Sequence, residues 1–376
     1  MDKGSPGALK VFNQREICRC ILENGPMTRA QIAKELSLSK PTTSLNVQGL
    51  LDSHYLIETT QAVSSVGKKG TLLDFNRDYF FILIVDTTSM ALQNKIVLHV
   101  CNLKNETILE DTITTDHKYT SQNQKEFFEI YNQRLNEWIS HFNHPTGKIS
   151  HVVLSLPGAL NINEKEKLFF NDDTDLSCSI SNDINLALLG EKLIQNDSNK
   201  NIAYLRINQG LGAAFSLHNQ IYTGKDYSAG EIGYYETIIT KDDKVESVAL
   251  KDLISIYAIL KEKEELGYVF NKNLSPLDDL LFGINENNPW CIKKISLVYT
   301  YLENLIMNLV VTLDLDEIII AGVILKLIPN LTNKLQDKIN SYPLASTFIK
   351  EANDQSTTNI GGYYLAMKTI LDHMTL

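Results

Sequence analysis

Between Gly25 and Leu51 the chain carries two helix starts in close succession, and this pair constrains the fold more than any other feature. Thr28 suits an N-cap, and Gln31 completes a capping-box pattern with it. The helix that follows runs through Ala30, Ile32, Ala33 and Leu36. Ser37-Leu38 reads as a tight turn and Ser39 as a second cap, with Pro41 near the first turn, where proline is tolerated. A third helix continues through Leu45, Val47, Leu50 and Leu51, interleaved with Lys40, Thr42, Thr43, Ser44, Asn46 and Gln48. Upstream, Val11, Ile17, Cys18, Ile21 and Leu22 recur at helical spacing until Gly25-Pro26 ends that helix.

Two short helices joined by a tight turn form a helix-turn-helix. The second presents Ser, Thr, Asn and Gln, side chains short enough to read base edges and phosphates. The competing reading is a solvated helix in a generic bundle, and the next segment weighs against it. Residues 55–58 and 71–75 read as strands flanking Gly67-Lys68-Lys69-Gly70, a basic hairpin tip placed like a wing. The expected DNA contacts are Arg29, Ser39, Lys40, Thr42, Thr43, Ser44 and Asn46, with Lys68 and Lys69 on phosphate or in the minor groove.

Charge supports this division. The net charge is -10, yet residues 1–76 hold nine Lys/Arg against seven Asp/Glu, a net +2 that leaves -12 for the remainder. A mildly basic head on an acidic body suits a DNA-binding module joined to something that does not bind DNA. The five cysteines are scattered and odd in number, unlike a disulfide framework, and Cys18 and Cys20 point different ways on a helix. No run approaches 18 uninterrupted apolar residues, so no membrane span is expected, and the polar start predicts a cytoplasmic protein.

Beyond Asn76 the pattern changes to buried strands. Residues 80–86, 96–100 and 107–115 read as a meander, residues 122–142 as a helix and 151–156 as another strand. Residues 202–207 and 213–218 are further strands, with Asn219-Gln220 as the hairpin turn, and Glu317–Ala321 interrupts a helical last third. Meander strands followed by strands alternating with helices, twice over, predict an α/β fold of two similar lobes. Asp86, Pro157-Gly158, Asn182-Asp183, Gly210, Gly212, Gly230-Glu231 and Gly322 fall at strand ends, where such folds bind ligands. Carboxylates and an amide there can grip vicinal hydroxyls while glycines admit close backbone approach. Taken singly, Asp183 is also a reasonable helix cap and the glycines reasonable turns.

In this order these residues resemble the ROK family of repressors, open reading frames and kinases. The head is similar in Asn13, residues 27–33, residues 38–44 and the Gly67–Gly70 tip; the body is similar in Asn182–Glu191 and in Ala229-Gly230-Glu231-Ile232-Gly233. The resemblance implies a winged helix-turn-helix at 1–76 followed by an actin-like ATPase domain of two RNase H-like lobes at 77–376. The lobes would be about 77–182 with the C-terminal helix 361–376, and 183–360. It implies that Asn182, Asp183 and Glu231 bind sugar hydroxyls, that Gly158 forms one wall, and that Tyr234 and Glu246 complete the site. Tyr234 stands where the family has a zinc-ligating His, and no cysteine lies between Cys178 and Cys291, so structural zinc is expected to be absent. Asp86-Thr87-Thr88-Ser89-Met90 lacks the glycines with which kinase members cradle phosphate.

The favoured reading is a homodimer, or dimer of dimers, that represses carbohydrate genes and leaves its operator DNA when a sugar binds. No Arg or Lys beside the site motifs awaits a phosphate, Lys225 excepted, so the inducer is expected to be a neutral hexose or short oligosaccharide. The alternatives are a sugar kinase that retains the head, with Asp183 as base, and a constitutive DNA-binding protein with an inactive sugar site.

Overall fold

The computed structural model describes residues 6–59, 71–88, 94–115, 124–158, 176–195, 200–241, 244–342, 346–353 and 357–373. In the head, α1 (Pro6–Asn24) ends at Gly25, whose φ of +76° and N–H bond to the Ile21 carbonyl make it the C-terminal cap. The Thr28–Gln31 capping box forms as expected and opens α2 (Arg29–Glu35). Ser37, with φ +52°, turns the chain, and Ser39 caps α3 (Lys40–Asp52) by accepting from the Thr42 N–H at 3.2 Å. A two-residue strand that the sequence did not suggest, β1 (Met27–Thr28), pairs with β3 (Leu72–Phe75), which also pairs with β2 (Leu56–Thr59). The tip between β2 and β3, with Lys68 and Lys69, lies outside the described residues.

The body contains two five-stranded sheets of one topology. In the first, β4 (Phe81–Asp86), β5 (Lys95–Cys101) and β6 (Thr107–Thr114) form an antiparallel meander. After α4 (Gln124–His141), β7 (Ile149–Leu156) and β8 (Ser177–Asn182) add in parallel on the other side of β4. The second sheet repeats the order with the meander β9 (Ile202–Ile207), β10 (Leu211–Leu217) and β11 (Gln220–Tyr222), and the parallel strands β14 (Glu317–Ala321) and β15 (Phe348–Glu351). The turn between β10 and β11 is His218-Asn219, both at positive φ, one residue earlier than expected. Both sheets are covered on both faces. In β14, Ile318 and Ile320 enter one core and Ile319 and Ala321 the other, as a strand buried on two faces requires.

Between the sheets run α5 (Asp183–Gln195) and the C-terminal helix α12 (Thr357–His373), which starts earlier than the expected residue 361. Their backbones meet at two glycines. A Cβ on Gly190 would stand 1.9 Å from the Thr357 carbonyl oxygen, and one on Gly361 would stand 2.0 Å from that of Leu186. The other face of α12 joins the head: Tyr363, Met367 and Leu371 share a single core with Ile17, Cys18, Ile21, Leu50 and Leu73. Arg19 of α1 pairs with Asp372 near the helix end.

The remaining chain is a ribbon, β12 (Glu236–Lys241) with β13 (Lys244–Ala249), followed by α6 (Lys251–Ile254), α7 (Ile256–Glu265), α8 (Pro276–Asn285), α9 (Pro289–Leu313), α10 (Ile324–Leu327) and α11 (Leu331–Asn340). Helix α9 is long and apolar enough to cross a membrane by length and composition. Its Val298, Leu302, Leu305, Ile306 and Leu309 instead line the core of the second sheet.

Candidate functional site

Two places gather the residues singled out by sequence. The first is the outward face of α3. Ser39, Lys40 and Ser44 are exposed there, Thr42 is half-buried, and Leu45 is 69% exposed between Ser44 and Gln48. Thr43 and Asn46 correct the expectation of an outer-face role, because both are buried. The Thr43 hydroxyl donates to the Ser39 carbonyl and the Asn46 amide to that of Thr42, while buried Gln14 of α1 reaches the Asn46 carbonyl. Spacing alone placed these two outward; packing of α3 against α1 turns them in. Arg29 is tied to Glu58 of β2 at 2.8 Å.

The second place is the cleft between the sheets, at the carboxyl ends of β4, β7, β8 and β9. Asn182 ends β8 and caps α5, its Oδ1 accepting from the Ile184 N–H at 2.8 Å and the Asn185 N–H at 3.3 Å. The cap therefore leaves its NH₂ as the group able to serve a ligand. Asp183 follows in the first turn, where the helix dipole favours an anion. It is buried, and Arg206 of β9 donates to its Oδ2 at 2.8 Å. Burial raises Asp183 above the ordinary carboxylate value; Arg206 opposes that shift and Asp86 adds to it. Asp86 accepts from the Thr88 N–H at 2.8 Å, and the buried Thr87 hydroxyl donates to the Ser155 carbonyl at 2.5 Å. Gly158, at φ +70°, is exposed two residues beyond Leu156, the register partner of Asn182.

The Ala229–Gly233 segment folds onto β10. Gly230 sits at φ +95° with the Ala213 N–H bonded to its carbonyl, and a Cβ there would stand 1.9 Å from the Ala213 oxygen. Only glycine fits that approach. Glu231 follows, half-buried, leading into a single 3₁₀ turn, Ile232–Tyr234. Because β10 pairs with β9, this segment lies on the strand next to the one that holds Arg206.

Glu246 lies on the exposed β12–β13 ribbon, opposite Ile239 and three ladder steps from the base pair Glu236–Ala249. At roughly 3.4 Å per step that is about 10 Å away from the ribbon's root. The side chain beside Tyr234 is Lys251, whose Nζ lies 3.6 Å from the Tyr234 ring centroid. Tyr234 itself is 62% exposed. Sequence reasoning missed Arg206 and Lys251 because neither belongs to a motif; a charged residue inside the apolar run 202–207 was the available signal.

A ROK family profile matches residues 94–369. The chain belongs to the ROK family. This ROK protein is 24% identical to a xylose repressor of Staphylococcus xylosus over 96% of its own length and 95% of that protein's. Among solved structures it is similar to a ROK family transcriptional regulator described as a homologue of the E. coli MLC protein, with TM-score 0.73, 20% identity and 96% of each chain covered. It is also similar to a ROK hexokinase from Thermus thermophilus, with TM-score 0.57, 15% identity, and 78% of this chain and 100% of that one covered. The body therefore has the actin-like sugar-kinase fold.

The surroundings of Tyr234 do not fit a zinc ion. Among the described residues no group of three or more His, Cys, Asp or Glu could hold a metal. At the end of β4 the Thr87 side chain is buried against the Ser155 carbonyl, and the Thr88 N–H is taken up by Asp86.

Proposed function

We propose that this ROK protein is a sugar-responsive transcriptional repressor, whose head is a winged helix-turn-helix and whose cleft binds the inducer. The observation that carries this reading is the span of its likeness to repressors, which runs through head and body together. On the head, Ser39, Lys40, Ser44 and Gln48 of α3 face the major groove, and Lys68 and Lys69 meet phosphate beside it. Two such heads in a homodimer read a pseudo-palindromic operator. In the cleft, Asp183, the Asn182 amide, Glu231 and Gly158 hold a sugar, with Tyr234 at the rim.

The relatives' name makes D-xylose the first inducer to test, and the donor set extends the panel to neutral hexoses. Calorimetry should detect one of these sugars binding, and Asp183→Asn should weaken it by about tenfold or more, the scale of a lost charge-assisted hydrogen bond. Wild-type protein that binds no sugar in the panel contradicts the inducer reading. The lack of glycine at Asp86-Thr87-Thr88-Ser89-Met90, and Asp183 held by Arg206, support a non-catalytic role. With ATP and the bound sugar no ADP release is expected; turnover abolished by Asp183→Asn would reverse that.

A further inference from the structure

Arg206 is a charged residue on a central strand otherwise made of Ile202, Ala203, Tyr204, Leu205 and Ile207. Its side chain is 11% exposed and that of its partner Asp183 is 8% exposed. An arginine so placed is costly unless its charge is matched, and removing one member of such a pair strands the other. Three elements converge on it. Asp183 comes from α5, Asp86 from the end of β4 in the opposite sheet, and Tyr204 from the same face of β9, its ring centroid 5.8 Å from the Arg206 guanidinium carbon. On the neighbouring strand Gly212 is the register partner of Arg206, and a Cβ there would stand 2.5 Å from Ile184 Cδ1. The strand beside Arg206 thus bears no side chain, and the start of α5 settles against it.

We propose that Arg206 is the positioning residue of the sugar site. By engaging Oδ2 it holds Asp183 as a fixed carboxylate, leaving Oδ1 to accept a sugar hydroxyl. The same contact withholds Asp183 from proton abstraction, so the carboxylate that recognises the sugar does not activate it. The sugar half of this proposal rests on the inducer reading above; the hold on Asp183 does not.

The sign of the effect follows from what remains when the guanidinium goes. Burial and Asp86 both disfavour the charged form of Asp183, while Arg206 opposes them first, with the backbone N–H groups of Ile184 and Asp183 adding to it. In Arg206→Gln, Asp183 takes up a proton at higher pH than in the wild type, and a protonated carboxyl accepts hydroxyls poorly. The experiment follows the Asp183 carboxyl by carbon-13 NMR in ligand-free full-length protein labelled at aspartate, with Asp183→Asn to assign the signal. D-Xylose affinity is measured from pH 6 to 8.5 on the same samples. In R206Q the titration midpoint should move up, and D-xylose binding should weaken by about tenfold at neutral pH, with the gap from wild type widening as pH falls. R206K keeps the charge, so its Asp183 signal should stay with the wild type. An Asp183 titration unchanged in R206Q, or a midpoint in R206K raised as an uncompensated carboxyl's would be, overturns the proposal. If R206Q does not fold, R206K decides alone. If D-xylose fails to bind even the wild type, the xylose reading falls while the NMR titration still judges Arg206.

Discussion

At the scale of single residues, what was legible depended on how far away the partner lay. Thr28 with Gln31, and Ser39 with Thr42, are three-residue arrangements, so their caps could be written from sequence and reappear in the structure. Thr43 and Asn46 were misplaced because a neighbouring helix, not spacing, decides which way they turn. Arg206 was invisible as an Asp183 partner for the same reason: their contact joins the start of α5 to a strand 23 residues further on. Replacing Ser39 with Ala should cost the head about 1 kcal/mol, the usual loss for an N-cap, measurable as a lower urea midpoint. His151 offers a second test. It is fully buried, with its ring nitrogens 2.5 and 2.9 Å from the Ser177 and Ser179 hydroxyls, and burial, with His373 adding to it, pushes its pKa down to about 4. Its folded pKa lies below its unfolded one, so the stability it contributes is complete above about pH 6.5 and drains away as pH falls towards 4. Its share should reach about 3 kcal/mol at most. His151→Gln should flatten the fall in unfolding free energy across that window; an unchanged slope would place the acid sensitivity elsewhere.

Among elements, the strands buried on both faces and the strongly capped helices were legible, whereas β8, the β12–β13 ribbon, β15 and the two-residue β1 were not. Those segments are short or exposed, and pairing partners far along the chain hold them in place. The motif of Asn182–Glu191 marked its helix, but its real constraint is the crossing with α12. Gly190 and Gly361 let two backbones touch where any side chain would collide. Gly361→Ala should therefore destabilise the protein by about 1–3 kcal/mol, although alanine favours a helix by about 1 kcal/mol in isolation. Thermal unfolding decides this, since a variant as stable as wild type would mean that the crossing is looser than the backbone contact implies. The same helix carries Asp372, which pairs with Arg19 of the head. One rigid element thus contacts both the helix that opens at Asp183 and the helix that supports α3.

Taken whole, the molecule is a basic head and an acidic two-sheet body with no seam between them. The core under α3 runs on through Tyr363 and Met367 to Phe80, Ile82 and Ile84 of the first sheet. In the proposed repressor, a sugar-dependent shift of α5 would reach α12 and the head through these packed side chains and the Arg19–Asp372 ion pair. Such coupling exists only if the sugar has different affinities for the arrangements that do and do not fit the operator. The measurement that reaches this most directly is the affinity of the full-length protein for a DNA duplex selected from random sequence, read by fluorescence anisotropy with and without D-xylose and the neutral hexoses. The account predicts that at least one sugar weakens DNA binding by about tenfold or more, within the usual range of allosteric coupling. An affinity for that duplex unchanged at saturating concentrations of every sugar would contradict it.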